Sequence, residues 1–284
     1  MKKILTTLAL MLCVVSAGAQ TEPIELKLWP NGAPNSNGIS GPEEIPDPMH
    51  VRNVSDPTLT VYPAQHPSGQ VIIACPGGAY MNLAIAKEGH DMAKWMNHMG
   101  VTFCVLKYRL PNGHFDATVS DVLQAVKIAR EHAGEWKADP SLIGVMGCSA
   151  GGNLAIQAAT QWTGPENRPD FQVLLYAFTT MNPFINKIMM GENPSEQEIQ
   201  KYTVMNHITK DTPPAFITCC ADDPVVPCTD SIDMFTALRK FGTEASLHIY
   251  PDGGHGFGYS EDFAYKRQWT GELEMWLRAM VQNR

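Results

Sequence analysis

The sequence predicts an α/β fold: a mostly parallel central sheet with helices on both faces. Three observations carry that prediction. From residue 58 onward, strand-like and helix-like segments alternate, the pattern of successive β-α-β units. Several strand candidates are continuous apolar runs rather than alternating ones, as parallel strands covered on both faces should be. Finally, 284 residues with 44% hydrophobic side chains suffice to bury one large core.

The chain opens Met1-Lys2-Lys3, runs apolar over residues 4–15 and continues Ser16-Ala17-Gly18-Ala19. A basic start, a short apolar stretch and an Ala-x-Ala site are the parts of a secretory signal peptide at residues 1–19, cleaved near Ala19. The protein is therefore expected to be exported, to the periplasm or outside the cell. The stretch is too short to span a bilayer core of about 30 Å. Leu12 before Cys13 argues against lipoprotein processing, and no later segment reads as a membrane span. Residues 20–57 are rich in Pro, Gly and Asn, with a short apolar patch over 24–29. They read as an extended arm packed on a domain at 58–284.

Within that domain the strand candidates are residues 58–62, 71–75, 101–106, 142–146, 173–176, 215–220 and 245–250. Between them, Val119, Val122, Val126 and Ala129 share one helical face, with Asp116 near the start as a cap. Met92, Trp95, Met96 and Met99 form another stripe, and Ile232, Phe235 and Leu238 a third. Leu273, Trp276, Leu277 and Met280 supply a C-terminal helix. These stripes read as core packing rather than a ligand box. Residues 179–211 break the alternation, with helix-like pieces around 185–190 and 195–204. An insertion after a strand's C-terminal end is where such folds build a substrate-binding cap.

The formal net charge is −8, and loss of a leader carrying two lysines makes the balance more acidic still. That sign argues against nucleic acid or an anionic membrane as partner, and it leaves the oligomeric state open. Six cysteines follow the leader: Cys75, Cys104, Cys148, Cys219, Cys220 and Cys228. Export permits disulfides, but Cys75, Cys104, Cys219 and Cys220 fall in strand candidates, where free cysteine acts as a small hydrophobe. The sequence holds neither a Cys-x-x-Cys pair nor His-Glu-x-x-His, so a zinc site has little support. Neither metal nor organic cofactor is expected.

The chemistry centres on Gly147-Cys148-Ser149-Ala150-Gly151-Gly152, directly after the apolar run 142–146. A serine between a strand and a helix sits on a sharp turn whose neighbours two residues away must be small, as Gly147 and Gly151 are. Gly152 would let the helix pack closely on the sheet. Serine needs a base, because its hydroxyl hardly ionises at neutral pH. His255 lies after a late strand in the glycine-rich run Asp252-Gly253-Gly254-His255-Gly256-Phe257-Gly258. His248 falls within a strand, His207 precedes the acid, and His90, His98, His114 and His132 precede Ser149.

The orienting acid should follow a strand between Ser149 and His255. Asp222 and Asp223 do so, and Asp223 is preferred because Asp-Pro-Val-Val-Pro anchors a turn with the carboxylate at its apex. Asp222 is expected to hold loop amides. After the strand 71–74, Cys75-Pro76-Gly77-Gly78-Ala79-Tyr80 offers the N–H of Gly78 or Ala79, which with that of Ala150 would form an oxyanion hole. Tyr80, Phe178, Met181, Phe184 and Phe257 are candidates for the substrate pocket or for core.

These motifs, with Glu88-Gly-His-Asp91 and Leu106-Lys-Tyr-Arg-Leu-Pro111, resemble the α/β-hydrolase superfamily over about residues 71–284. Within it the chain is similar to bacterial secreted esterases of the acetylxylan-esterase and feruloyl-esterase-like group. The resemblance implies Ser149 as nucleophile, Asp223 as acid and His255 as base, with acetylated xylan or a related polysaccharide as substrate. A feruloyl or other short-chain carboxylesterase is the alternative. A serine peptidase or a non-catalytic carbohydrate-binding relative is disfavoured. Two departures from the family pattern stand out: Ala79 occupies a position usually held by a third glycine or similar small residue, and Cys148 replaces a commoner aromatic.

Overall fold

In chain order the elements are β1 (Ile24–Lys27), β2 (Glu44–Asp47), β3 (His50–Arg52), β4 (Thr58–Tyr62), β5 (Val71–Cys75), α1 (Ala93–His98), β6 (Thr102–Lys107), α2 (Phe115–Glu131), β7 (Ile143–Cys148), α3 (Ala150–Thr160), β8 (Phe171–Leu175), α4 (Pro183–Met190), α5 (Glu196–Tyr202), β9 (Ala215–Cys220), α6 (Cys228–Lys240), β10 (Ala245–Tyr250) and α7 (Lys266–Gln282). The computed structural model describes residues 22–282, so the leader expected at residues 1–19 lies outside the described residues. Eight strands form one sheet in the order β1-β4-β6-β5-β7-β8-β9-β10, and β2 and β3 form a separate hairpin. The strands from β6 through β10 run parallel, while β4 is antiparallel to both β1 and β6.

Burial follows sequence chemistry. Strands β5, β7, β8 and β9, read as continuous apolar runs, are buried at every residue. Helices cover both faces, as a parallel sheet requires. The edge strand β1 was not among the strand candidates. Its Ile24, Glu25 and Lys27 are exposed and Leu26 is partly buried, so it carries little burial signal. Charged side chains on such an edge also discourage pairing with another sheet.

Some local expectations shift. The N-cap of α2 is His114 rather than Asp116; Asp116 lies in the first turn and accepts a hydrogen bond from Asn35. The inward face of α6 is Met234 and Leu238, while Ile232 is 37% exposed. One helical residue turns the side chain by about 100°, so a small error in face assignment exchanges such neighbours. All six cysteines among the described residues are unpaired, and Cys228 alone of them is only partly buried.

The segment before β4 is tied down by a buried ion pair. Arg109 and Asp121 meet at 2.7 Å, and Asp121 also accepts from the Trp29 indole at 2.7 Å. Arg109 reaches the backbone oxygen of Asn35 at 2.6 Å. Burial pushes the Asp121 carboxyl up, against the pull of Arg109 and Trp29. In the 179–211 insertion, Asn182 caps α4, and Ser195 with Glu198 forms a capping box on α5. Asp230 of α6 accepts the N–H groups of Thr179 and Thr180 at 2.7 and 3.0 Å, fixing where the insertion leaves the sheet.

Strand register decides where the loops converge. Cys75 lies opposite Gly147, and Cys148 opposite Leu175. The C-terminal ends of β5, β7 and β8 therefore finish at one level. Cys220 pairs with Tyr250, so the loops that carry Asp223 and His255 leave the same edge together.

Candidate active site

Ser149 is the single residue between β7 and α3, at φ 53° and ψ −119°. That is sparsely populated territory for a side chain other than glycine, and it survives only where surroundings enforce it. Two close approaches do the enforcing. A Cβ on Gly147 would lie 2.0 Å from the Gly151 carbonyl oxygen, and one on Gly151 would lie 1.9 Å from that of Cys75. The Ser149 N–H donates to Leu175 O at 3.0 Å, which fixes the turn to β8.

His255 Nε2 lies 2.8 Å from Ser149 Oγ, and His255 Nδ1 lies 2.7 Å from Asp223 Oδ2. With the ring proton on Nδ1 donated to Asp223, Nε2 is left to accept the serine hydroxyl. Asp223 Oδ1 accepts the N–H groups of Val225 and Val226 at 2.8 and 2.9 Å. Burial disfavours charge on Asp223, but the bonds from His255, Val226 and Val225 outweigh it and hold the carboxyl below its ordinary value. Asp222 turns to the other loop and accepts the N–H groups of Gly253 and Gly254.

Gly78 has φ 127°, and a Cβ there would meet Asn82 O at 2.2 Å; Ala79 follows at φ 53°. None of the hydrogen bonds among the described residues uses the N–H of Gly78, Ala79 or Ala150. Gly78 and Ala79 border the same cavity as Ser149 and His255, about 320 Å³ in volume, with His50, Met81, Asn82 and Val225 also on its wall. At Met81 it adjoins a groove of about 560 Å³, and at Val225 a hollow of about 360 Å³. Ser149, a hydrogen-bonded base, its orienting acid and unspent amides together can carry out acyl transfer.

The side chains expected at a substrate pocket divide. Tyr80 is 1% exposed; it donates to Asn153 at 3.0 Å and packs edge-on against Tyr108, Phe115 and Phe178. Its edge borders the Met81 groove, but it is core. Phe257 is core as well, stacked on Phe263 at 4.2 Å, because its loop folds back on the sheet end to seat His255. Phe178 borders the hollow beside Val225. Met181 is partly buried against the core, and Phe184 is 57% exposed.

Sequence reasoning missed His50, which borders the Ser149 cavity from the β2–β3 hairpin and pairs with Asp47 at 2.9 Å. No motif marks it. Cys148, the departure behind the nucleophile, lies against the Tyr176 hydroxyl, and burial pushes its thiol well up. Glu88 stood within a quoted motif without a role; it lies on the wall of the Ser149 cavity.

A family profile described as alpha/beta hydrolase fold matches residues 72–258. An acetylxylan esterase of Xylanibacter ruminicola is 36% identical over 76% of this chain and 47% of its own length. An endo-1,4-beta-xylanase B of Butyrivibrio fibrisolvens is 26% identical over 72% of this chain and 35% of its own length. The chain thus spans half the length or less of these curated relatives. Among solved structures, an acetyl ester-xyloside bifunctional hydrolase from Caldicellulosiruptor lactoaceticus superposes with a TM-score of 0.76 and 32% identity, covering 90% of this chain and 96% of that one.

Proposed function

The chain belongs to the alpha/beta hydrolase family, and from that premise we propose that it is a serine carboxylic ester hydrolase removing acetyl groups from xylan or related oligosaccharides. The observation that carries this reading is the 2.8 Å approach of His255 Nε2 to Ser149 Oγ. Ser149 Oγ attacks the ester carbonyl as His255 takes its proton, and Asp223 supports the charge that develops on the imidazole. The carbonyl oxygen, becoming negative, meets the N–H groups of Ala150 and of Gly78 or Ala79. His255 then protonates the departing sugar hydroxyl, leaving an acetyl group on Ser149. Water, deprotonated by His255, releases acetate and restores the serine.

The acetylxylan esterase relative and the acetyl ester-xyloside hydrolase structure support an acetylated xylan substrate. The cavity continuing into a groove at Met81 and a hollow at Val225 supports a carbohydrate chain extending beyond the scissile ester. The 179–211 insertion, whose Lys187 and Ile188 line that groove, would act as a short cap. Export through the leader at residues 1–19 is part of the proposal; among the described residues no helix is long and apolar enough to cross a membrane.

Acetate release from acetylated xylo-oligosaccharides, run beside a nitrophenyl ester chain-length series and chromogenic peptides, tests the assignment. Short esters and the acetylated sugars should turn over and the peptides should not. Ser149→Ala should lose at least about 10⁴-fold of the activity. Full activity in that variant would refute the reading.

A further inference from the structure

One buried carboxylate beside Ser149 takes no part in the chemistry just described. Glu88 is 5% exposed. Its Oε2 accepts the N–H of Gly77 at 2.7 Å, and its Oε1 accepts the Tyr176 hydroxyl at 2.9 Å. The Tyr176 oxygen in turn accepts the N–H of Gly258 at 2.9 Å. Gly77 immediately precedes the Gly78 and Ala79 amides, and Gly258 lies in the loop that carries His255. Tyr176 directly follows β8 at φ 39°, with its ring 5.0 Å from that of His255.

The donors at the two ends of this chain are fixed. Both ends are backbone N–H groups, which only donate. The Tyr176 oxygen accepts from Gly258 and its hydroxyl donates to Glu88 Oε1, with the Cys148 thiol as its other neighbour. Burial holds the Glu88 carboxyl above its ordinary value, against the pull of the bonds from Gly77 and Tyr176 and of the nearby Lys87 and His255. The fit is also steric: a Cβ on Gly77 would lie 2.6 Å from Cys148 O and 2.7 Å from Glu88 Oε2, so the oxyanion loop sits directly on the carboxylate.

We propose that Glu88, acting through Tyr176, is a positioning residue that holds the Gly78–Ala79 amides and His255 in mutual register around Ser149. This rests on the esterase reading. A misplacement near 1 Å in such a site costs about 10²-fold in rate, so a brace joining two loops acts on turnover more than on substrate affinity.

The test uses Tyr176→Phe, Glu88→Gln and the double variant. Each is assayed on a short nitrophenyl ester, with active sites counted by fluorophosphonate titration. Tyr176→Phe keeps the ring against His255 and Phe257 and should lower kcat per titrated site about tenfold, with KM changed by less than about twofold. Glu88→Gln should lower it about a hundredfold. The double variant should be no slower than Glu88→Gln, because Tyr176 braces only through Glu88.

Wild-type kcat per titrated site in Tyr176→Phe would overturn the proposal, even if melting temperature or the titratable fraction fell. Independent, multiplying losses would overturn it too. Should Glu88→Gln fail to fold, Tyr176→Phe decides alone. Failure of the esterase reading itself would look different: the wild type would neither label nor turn over the ester.

Discussion

Asp222 and Asp223 are chain neighbours that serve different loops. Asp223 Oδ2 lies 2.7 Å from His255 Nδ1, while Asp222 accepts the N–H groups of Gly253 and Gly254 at 3.2 and 2.9 Å. One carboxylate meets the imidazole, and the other holds the loop from which it projects. Asp223→Asn should therefore lose about 10⁴ in kcat through the wrong imidazole tautomer. Asp222→Asn should lose less than about tenfold, since an amide oxygen still accepts one loop N–H. Steady-state kinetics on both purified variants makes the comparison, and a larger loss at Asp222 would reverse the assignment.

The hydrogen bonds that hold the Asp223 carboxyl below its ordinary value also make it a source of pH-dependent stability. The ionised form is favoured in the folded state. Its contribution is complete above the unfolded carboxylate value of about 3.9 and is lost as pH falls through the lower folded value. The stability difference between wild type and Asp223→Asn, from urea titrations across acidic pH, should shrink on acidification. A difference that widened would contradict the sign.

Arg109 and Asp121 contrast with the surface pair Lys27 and Asp56. The first pair has side chains 3% and 0% exposed, the second 66% and 65%. Asp121→Ala leaves a guanidinium buried without its counter-charge and should cost about 3–5 kcal/mol. Asp56→Ala should stay within about 0.5 kcal/mol. Denaturant midpoints at constant m-value provide the measurement. Loss of the pair should also loosen residues before β4, read as faster amide exchange near Trp29.

Burial pushes the Cys219 thiol up to about 11 and Cys220 up to about 12, and Cys75 and Cys104 are raised by the same cause. Thiolate is the reactive form, so these four should resist alkylation in the native protein at neutral pH. Cys228, the partly buried one, should react first. Mass spectrometry after timed iodoacetamide exposure gives the order; early modification at Cys75 or Cys104 would count against it.

Much of this was legible along the chain because the signals are local. Continuous apolar runs marked β5, β7 and β9, and the small residues around Ser149 marked a turn that tolerates nothing larger. The order of serine, acid and histidine could be read because each follows a strand. The pocket side chains were less legible. Tyr80 and Phe257 carry the same aromatic character whether they meet substrate or core, and only packing against Asn153 and Phe263 separates the two. The edge strand β1 and His50 were missed because neither burial periodicity nor motif distinguishes them.

By itself, then, the sequence determined the strand–helix alternation, the strained serine turn and the glycines beside the histidine, since backbone sterics and apolar periodicity act within a few residues. The Asp-Pro-Val-Val-Pro turn already favoured Asp223 over Asp222, whereas tertiary structure alone decided how the segment before β4 is anchored through Asp121. It also decided that Glu88 joins Gly77 to Tyr176. Those relationships link residues far apart in the chain, and only strand register and loop closure bring their polar atoms within hydrogen-bonding distance.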